Sequence, residues 1–334
     1  MKNRQIHLVK RPQGAVTADC FALVEAEVPA LLDNQVLVQN LWLSLDPYMR
    51  GRMDDVKSYS AVQPLNAVMV GGTAGVVLDS KNSKFAKGDM VAGAFGWQEY
   101  GISDGTGQYG APMRKVSDKI PLSAYLGVVG MPGVTAWHGL NKIIEPKAGE
   151  TVVVTAASGA VGSVVGQLAK AKGARVIGIA GGPAKCAYVR DELGFDACLD
   201  YKGASITELL AEAVPGGIDG VFENVGGVIF DAILGRMNAF GRIAVCGLIS
   251  GYNGQAHALG NVRAILTNRL KVQGFIVSDH LSEWPEALTE LGGLVASGKL
   301  KYRETVANGL ENAPQAFMGL LKGENFGKQL VKLA

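Results

Sequence analysis

The sequence predicts an α/β protein: a strand-rich N-terminal region followed by a doubly wound parallel sheet. Three observations predict it. From Glu150 onward, strand and helix signals alternate, the pattern of βαβ units that build a parallel sheet. The stretch Thr151 to Lys172, TVVVTAASGAVGSVVGQLAKAK, reads as a buried strand, a tight glycine turn and a helix. Residues 1 to about 125 instead carry short strands with regular turn signals, which suit a small, partly open barrel.

In chain order, Gln35–Trp42 alternates and reads as a strand, and Val68–Leu78 reads as a strand pair or one bent strand with glycines at the bends. Lys84–Val91 places a turn at Lys87–Gly88–Asp89 before the next strand, and Gly96–Ile102 and Met113–Val116 supply further short strands. Helical signal follows at Ala124–Val128 and Pro132–Asn141. The parallel half then reads Thr151–Thr155 with a helix to Lys172, Arg175–Ile179 with helix Ala184–Leu193, Ala197–Leu199 with helix Ile206–Ala213, and Gly220–Glu223 with helix Val228–Met237. Arg242–Cys246, a helix near Val262–Asn268 and Lys271–Val277 complete two βαβαβ halves. A helix at Ser282–Ser297, Tyr302–Val306, a helix at Ala313–Lys322 and a last strand, Gln329–Leu333, close the chain. The expected division is residues 1–125, 126–300 for the nucleotide-binding domain, and 301–334 returning to the strand-rich domain, with a cleft shared by the two domains.

The 334 residues give room for about two domains. Hydrophobic residues make up 48% and charged residues 19%, so a large core can be buried. A net charge of +2 supplies no electrostatic reason for nucleic acid or an anionic membrane as partner. No apolar run reaches the ~18 residues of a spanning helix. The start, MKNRQIHLVKRP, lacks a signal peptide's apolar core, so a cytoplasmic location is expected. Cys20, Cys186, Cys198 and Cys246 form no C-x-x-C pair, and with His7, His138, His257 and His280 they show no zinc-ligand spacing. Free, mostly buried thiols and no bound metal are expected.

The turn after Thr155 has the form A-x-G-x-x-G, with Ala157 where the dinucleotide fingerprint has its first glycine. The strand before it and the helix after it supply the context that the Rossmann motif requires. Gly159 lets the backbone approach a pyrophosphate, and Gly162 lets the helix pack on the strand. The helix start offers open N–H groups and partial positive charge to an anion. An NAD site places Asp or Glu at the end of the second strand, for the ribose 2′-hydroxyl. Here that strand ends Ile179–Ala180–Gly181–Gly182, without a carboxylate. Lys185 follows as a cation for a 2′-phosphate, and Tyr201, after the third strand, adds a hydroxyl; the bland alternatives are a solvated helix residue and a loop aromatic. The missing acid favours NADP(H). Asn224–Val225–Gly226–Gly227 and Cys246–Gly247–Leu248–Ile249–Ser250 follow the fourth and fifth strands, at the carboxyl ends where this fold holds a nucleotide. Ordinary strand-end turns are the competing reading.

Longer motifs carry a resemblance. LSLDPYMRGRM (Leu43–Met53), VGGT (Val70–Thr73), GMPGVTAW (Gly130–Trp137), AASGAVGS, ENVGG (Glu223–Gly227), CGLISGYN (Cys246–Asn253) and LLKGENFGK (Leu320–Lys328) are similar to the zinc-independent medium-chain dehydrogenase/reductases. Within that family the chain resembles the branch of prostaglandin reductases, leukotriene dehydrogenases and curcumin reductases, over essentially its whole length. The resemblance implies a GroES-like β-barrel N-terminal domain, a Rossmann domain, a homodimer, and NADPH-dependent reduction of the C=C bond of α,β-unsaturated ketones and aldehydes. It places Gly159, Ala160, Val161 and Gly162 on the pyrophosphate, and Lys185 and Tyr201 on the 2′-phosphate. It puts Asn224, the Cys246–Tyr252 loop, Phe275, Ile276, Val277 and Asn325 around the rest of the cofactor. Zinc members carry a Cys and a Gly-His-Glu where this chain reads Leu45–Asp46 and Gly71–Gly72–Thr73, and their four-cysteine lobe is absent here.

Without a metal to polarise a carbonyl, a donor must meet the charge that hydride attack moves onto the substrate oxygen. Tyr252 is the expected catalytic residue, as enolate stabiliser and proton source; its alternative is packing or orienting the nicotinamide. Tyr48, Tyr59 and Met131 are expected to line the substrate pocket, with a packed barrel tyrosine as the alternative for Tyr48. Arg50 and Arg52 read as ion-pair partners, and Trp97 and His138 as packing. A zinc-free quinone oxidoreductase, an alcohol dehydrogenase and a nucleotide-binding protein without turnover are the rival functions.

Overall fold

The computed structural model describes residues 1–106, 112–254 and 257–334. The chain forms two compact units, Met1–Gly127 with Glu304–Ala334, and Val128–Arg303.

The first unit begins with β1 (Lys2–Leu8) and β2 (Phe21–Glu27), an antiparallel pair that the sequence reading did not single out. Their alternation is blurred: β1 buries only Asn3, Ile6 and Leu8, between polar neighbours. β3 (Val36–Ser44) covers the predicted strand at Gln35–Trp42. A short helix not foreseen in the sequence, α1 (Tyr48–Arg52), follows it. The predicted Val68–Leu78 strand resolves into β4 (Ala67–Val68), which joins β1, and β5 (Thr73–Ser80), which joins β3. The break falls at Gly71, where an added Cβ would lie 2.8 Å from Trp97 Cδ1. β6 (Met90–Gly93), β7 (Tyr100–Ser103) and β8 (Arg114–Lys115) complete this stretch.

The second unit opens with α2 (Met131–His138). β9 (Thr151–Thr155) leads to α3 (Gly162–Ala171), β10 (Arg175–Ala180) to α4 (Pro183–Ala187), β11 (Ala197–Asp200) to α5 (Ile206–Ala213), and β12 (Ile218–Glu223) to α6 (Gly227–Leu234). β13 (Met237–Val245), α7 (Arg263–Thr267), β14 (Lys271–Gly274) and α8 (Trp284–Ala296) follow. The six strands pair in parallel in the order β11-β10-β9-β12-β13-β14, the Rossmann order. β9 is central, and Val152, Val153 and Val154 are fully buried, which explains its uncharged run.

Three boundaries correct the sequence reading. Helix α6 stops at Leu234, and Met237 opens β13. The strand irregularity there, with Phe240 at φ 63°, hid five strand residues before Arg242. The expected helix Ala184–Leu193 is α4 followed by a wider π-type turn over Tyr188–Glu192. β14 ends at Gly274, so Phe275–Val277 leaves the sheet.

The chain ends in the first unit with β15 (Glu304–Asn308), α9 (Ala313–Leu321) and β16 (Lys328–Lys332). β16 pairs antiparallel with β3, giving the sheet order β15-β16-β3-β5-β6-β8 with β7 also on β3. Phe317 on α9 packs edge-on against Trp97 at 5.6 Å, and Trp97 stacks on Phe21 at 5.5 Å. This aromatic trio anchors the unit's core. Among the described residues no helix is long and apolar enough to cross a membrane.

Candidate nucleotide site

The site begins where β9 ends. The chain turns through Ala156, at φ 49°, and Ala157 N–H donates to Ile179 O on the neighbouring strand at 3.0 Å. A Cβ on Gly162 would lie 2.5 Å from Ala156 O and 2.9 Å from Ala157 Cα. Only glycine lets α3 press this closely on the strand end. Gly159 differs: its Cβ would meet only Ala156 O, at 3.1 Å, so its outer face is open. The first turn of α3 has no side-chain cap among the described residues. Ser163 N donates to Gly159 O at 3.1 Å and Val164 N to Val161 O at 3.0 Å, while among the described residues the N–H groups of Ala160, Val161 and Gly162 have no acceptor, as an anion cradle requires. Gly159, Ala160, Val161 and Gly162, the expected pyrophosphate residues, lie together in this turn.

At the next strand end, a Cβ on Gly181 would lie 2.9 Å from Tyr201 Oη and 3.0 Å from Lys202 Cε. Both side chains thus fold over the glycine pair. Lys185, half-buried on α4, has its pKa pushed down by burial and by the nearby Lys202 ammonium. Two lysines and a phenol at one strand end suit a phosphate. The Asp200 carboxylate is already engaged there: its Oδ1 accepts from Gly182 N at 2.8 Å and Lys202 N at 3.0 Å. Sequence reading named Lys185 and Tyr201 for this corner and named neither Lys202 nor Asp200. The signal was present, since Asp200 and Lys202 flank Tyr201.

The third part joins β12 and β13. Asn224 N donates to Thr155 Oγ1 at 2.7 Å and Asn224 Nδ2 to Thr155 O at 2.8 Å, tying the strand end to β9. Asn224 O and Val225 O receive Ile249 N at 3.2 Å and Ser250 N at 2.9 Å. The Asn224–Gly227 and Cys246–Ser250 segments are therefore laced into one wall, with Gly247 and Leu248 in its turn. Glu223, fully buried behind it, accepts from Gly226 N at 2.7 Å, Val225 N and Thr155 Oγ1, all on Oε1. Its Oε2 has no hydrogen-bond partner among the described residues, and burial pushes its pKa up to about 7. Burial, with Glu223 nearby, pushes the Cys246 thiol up to about 12, so it is no nucleophile. The four cysteines are free, with Cys20 and Cys186 buried and Cys198 and Cys246 half-buried.

Tyr252 folds its hydroxyl back over this wall, where it accepts Leu248 N–H at 3.4 Å. Phe275, half-buried, packs edge-on against Phe222 of β12 at 6.1 Å, with Ile276 and Val277 following it out of the sheet. Met131 is half-buried at the start of α2. The remaining expected residues belong to the first unit. Tyr48 is half-buried on α1 beneath the Arg52 guanidinium at 5.1 Å, and burial and Asp46 raise its pKa. Tyr59 is 59% exposed. Asn325, in the turn after α9, donates to Gly327 O at 2.7 Å. Arg50 pairs with Asp54 at 2.7 Å and donates to Gly14 O at 2.8 Å, the structural part expected of it.

Leu45, Asp46 and Gly71 are engaged within the first unit. Lys328 Nζ lies 3.1 Å from Asp46 Oδ1 and donates to Leu45 O at 2.6 Å and Gln329 O at 3.0 Å. Gly71 lies against Trp97 and Leu43. The open cradle, the cationic corner and the laced wall fit a phosphorylated nicotinamide dinucleotide.

Two family profiles match the chain: an N-terminal domain of oxidoreductase over residues 4–109, and a zinc-binding dehydrogenase over residues 160–292. The chain is 46% identical to an NADPH-dependent curcumin reductase of Escherichia coli K12, over 100% of this chain and 97% of that one. It is 45% identical to prostaglandin reductase 1 of Mus musculus, over 97% of each. Among solved structures, CurA of Vibrio vulnificus in complex with NADPH matches with a TM-score of 0.93 and 47% identity over 99% of both chains.

Proposed function

The chain belongs to the medium-chain dehydrogenase/reductase family, and from that premise we propose that it reduces the C=C bond of α,β-unsaturated ketones and aldehydes with NADPH. One observation carries the reading: the end-to-end likeness to reductases of this kind, in a chain whose ribose corner offers lysines and a phenol. When bound, NADPH supplies a hydride from its nicotinamide ring.

The chain's own residues bind, orient and protonate. Gly159–Gly162 hold the pyrophosphate, and Lys185, Lys202 and Tyr201 hold the 2′-phosphate. Asn224, Cys246–Ser250, Phe275–Val277 and Asn325 line the rest of the cofactor. Tyr48, Tyr59 and Met131 line the substrate. Tyr252 donates to the carbonyl oxygen as negative charge gathers there. The proton that completes reduction reaches the α-carbon from the same side chain. Leu248 N–H, donating to the phenol oxygen, makes that O–H a better proton donor. We assign residues 1–125 as the substrate domain, 126–300 as the NADP-binding domain, and 301–334 as a segment returning to the first. We assign the working form as a cytoplasmic homodimer acting on small molecules, with no nucleic-acid or membrane partner.

Purified protein offered a panel of enones, alkenals and quinones, each with NADPH and NADH, tests this. The expected products are saturated ketones and aldehydes, formed faster with NADPH. Quinone turnover outpacing every enone moves the assignment to a quinone oxidoreductase. Tyr252→Phe is expected to lower kcat roughly 10²–10³-fold, as loss of an oxyanion-type donor does, with KM for NADPH unchanged. An unchanged kcat with a raised KM for NADPH would leave Tyr252 only as a cofactor orienter.

A further inference from the structure

His138, at the end of α2, meets His280 and Glu283 from the segment Val277–Glu283 that leads into α8. More than a hundred residues separate His138 from the other two, so no spacing rule could have joined them. One ligand atom from each of the three lies within 4.8 Å of the others. His138 Nδ1 and Glu283 Oε2 are 2.7 Å apart, and the two imidazoles stack at 4.0 Å between centroids, 26° from parallel. We propose that these three side chains form a binding site for a divalent transition-metal ion of the zinc type.

The donor set supports it. Two imidazoles and a carboxylate are borderline donors that favour Zn²⁺ over Mg²⁺ or Ca²⁺. Zinc bonds of about 2.0–2.1 Å in a tetrahedron put donor atoms roughly 3.3 Å apart. The His138–Glu283 contact has to open slightly to reach that spacing, and the longest separation has to close, both by side-chain rotation. Among the described residues the His280 side chain makes no hydrogen bond, while the Glu283 carboxylate serves His138 alone. A proton satisfies only the His138–Glu283 pair; an ion engages all three groups.

The surroundings also suit an ion. The His138 side chain is 4% exposed and Glu283 25%, so the site has a buried anchor and an open side for entry and for water in the fourth position. Phe275 lies 5.2 Å from the His138 ring, giving the site an apolar wall. Trp284 Nε1 donates to Val277 O at 3.2 Å, which holds the segment that carries two of the donors. Trp137 Nε1 takes Glu290, at 2.6 Å, so that neighbouring carboxylate is already engaged. None of the three donors belongs to the proposed nucleotide or substrate set, and the inference stands without the proposed function.

Full-length protein, stripped with a chelator and dialysed, is titrated with zinc alone by calorimetry, and with Co²⁺ alone by visible spectroscopy. One Zn²⁺ per chain is expected, with cobalt bands of a four-coordinate nitrogen–oxygen site. His280→Ala and Glu283→Gln, on half-buried positions and checked for folding by circular dichroism, are each expected to weaken binding roughly 10-fold or more. His138→Ala, in the buried position, is a third variant whose failure to fold leaves the outcome to the other two. Absence of stoichiometric zinc in the parent protein overturns the proposal. So does equal zinc binding by parent, His280→Ala and Glu283→Gln, which would mark an adventitious ion held elsewhere.

Discussion

The glycine turn after β9 and the buried pair of Asp46 with Lys328 handle polar groups in opposite ways. In the turn the polar groups are the main-chain N–H donors of Ala160, Val161 and Gly162, which have no acceptor among the described residues. In the other unit the Lys328 ammonium is closed in: Asp46, Leu45 O and Gln329 O take its three protons. The difference separates binding from support. A ligand site keeps donors unsatisfied until the ligand arrives, whereas a buried structural charge survives only when every donor is engaged. Glu223 stands between the two, with one oxygen taking three donors and the other none among the described residues.

Breaking the closed network is expected to produce the largest effect. Lys328→Met strands Asp46 as a buried, unpaired charge and is expected to cost about 3–5 kcal/mol in urea unfolding. Adding Asp46→Asn removes that charge and recovers most of the loss. If the single variant lost under about 1 kcal/mol, within the range of exposed pairs, the closed region would be no support and the contrast would fail.

Glu223 sharpens the contrast through pH. Its folded pKa of about 7 lies above the ordinary value of 4.5, so the folded protein holds the proton more tightly than the unfolded chain. Stability from this group is complete below pH 4.5, falls as pH rises through the window to 7, and is lost above it, about 3 kcal/mol in all. Glu223→Gln keeps an acceptor for Val225 and Gly226 without titrating. Unfolding free energies measured from pH 5 to 8 are expected to decline in the parent and to lose that component in the variant. Equal slopes would show that the carboxyl stays ionised and that its three donors outweigh its burial.

What the sequence revealed divides along the same line. The turn, β9 and α3 were legible because they are local: an uncharged run, small residues and glycines at fixed offsets. The missing acid after Ala180 and the lysine at 185 were legible for the same reason. Asp46 with Lys328, and Trp97 with Phe21 and Phe317, are joined only by the return of the chain's end to β3. No periodicity encodes such pairings. β1 and β2 escaped because a polar residue, Asn3, is buried on β1 and an apolar one, Leu23, is exposed on β2, which blurs the alternation. β13 escaped in part because the register shift near Phe240 interrupts its pattern. Lys202 was not singled out although it adjoins Tyr201, because only the fold of the chain brings its side chain over Gly181.

That lysine supplies the finest test of the open region. A charged hydrogen bond to phosphate contributes about 1.5–3 kcal/mol, so Lys185→Ala and Lys202→Ala are each expected to weaken NADPH binding roughly 10–100-fold. NADH, which lacks the 2′-phosphate, is expected to bind all three proteins alike in fluorescence titration. Equal losses for both nucleotides would make the lysines general supports of the fold. pH separates the two residues further. Burial and the Lys202 charge lower the Lys185 pKa, so Lys185 sheds its proton earlier than an ordinary lysine as pH rises. NADPH affinity in the parent is therefore expected to decline on the alkaline side before NADH affinity does. Lys202→Ala removes one of the two causes, so the Lys185 pKa moves back toward 10.5 and the decline starts at higher pH, even though affinity is lower throughout. A decline that started at the same pH in both proteins would mean that the two ammonium groups do not sense each other.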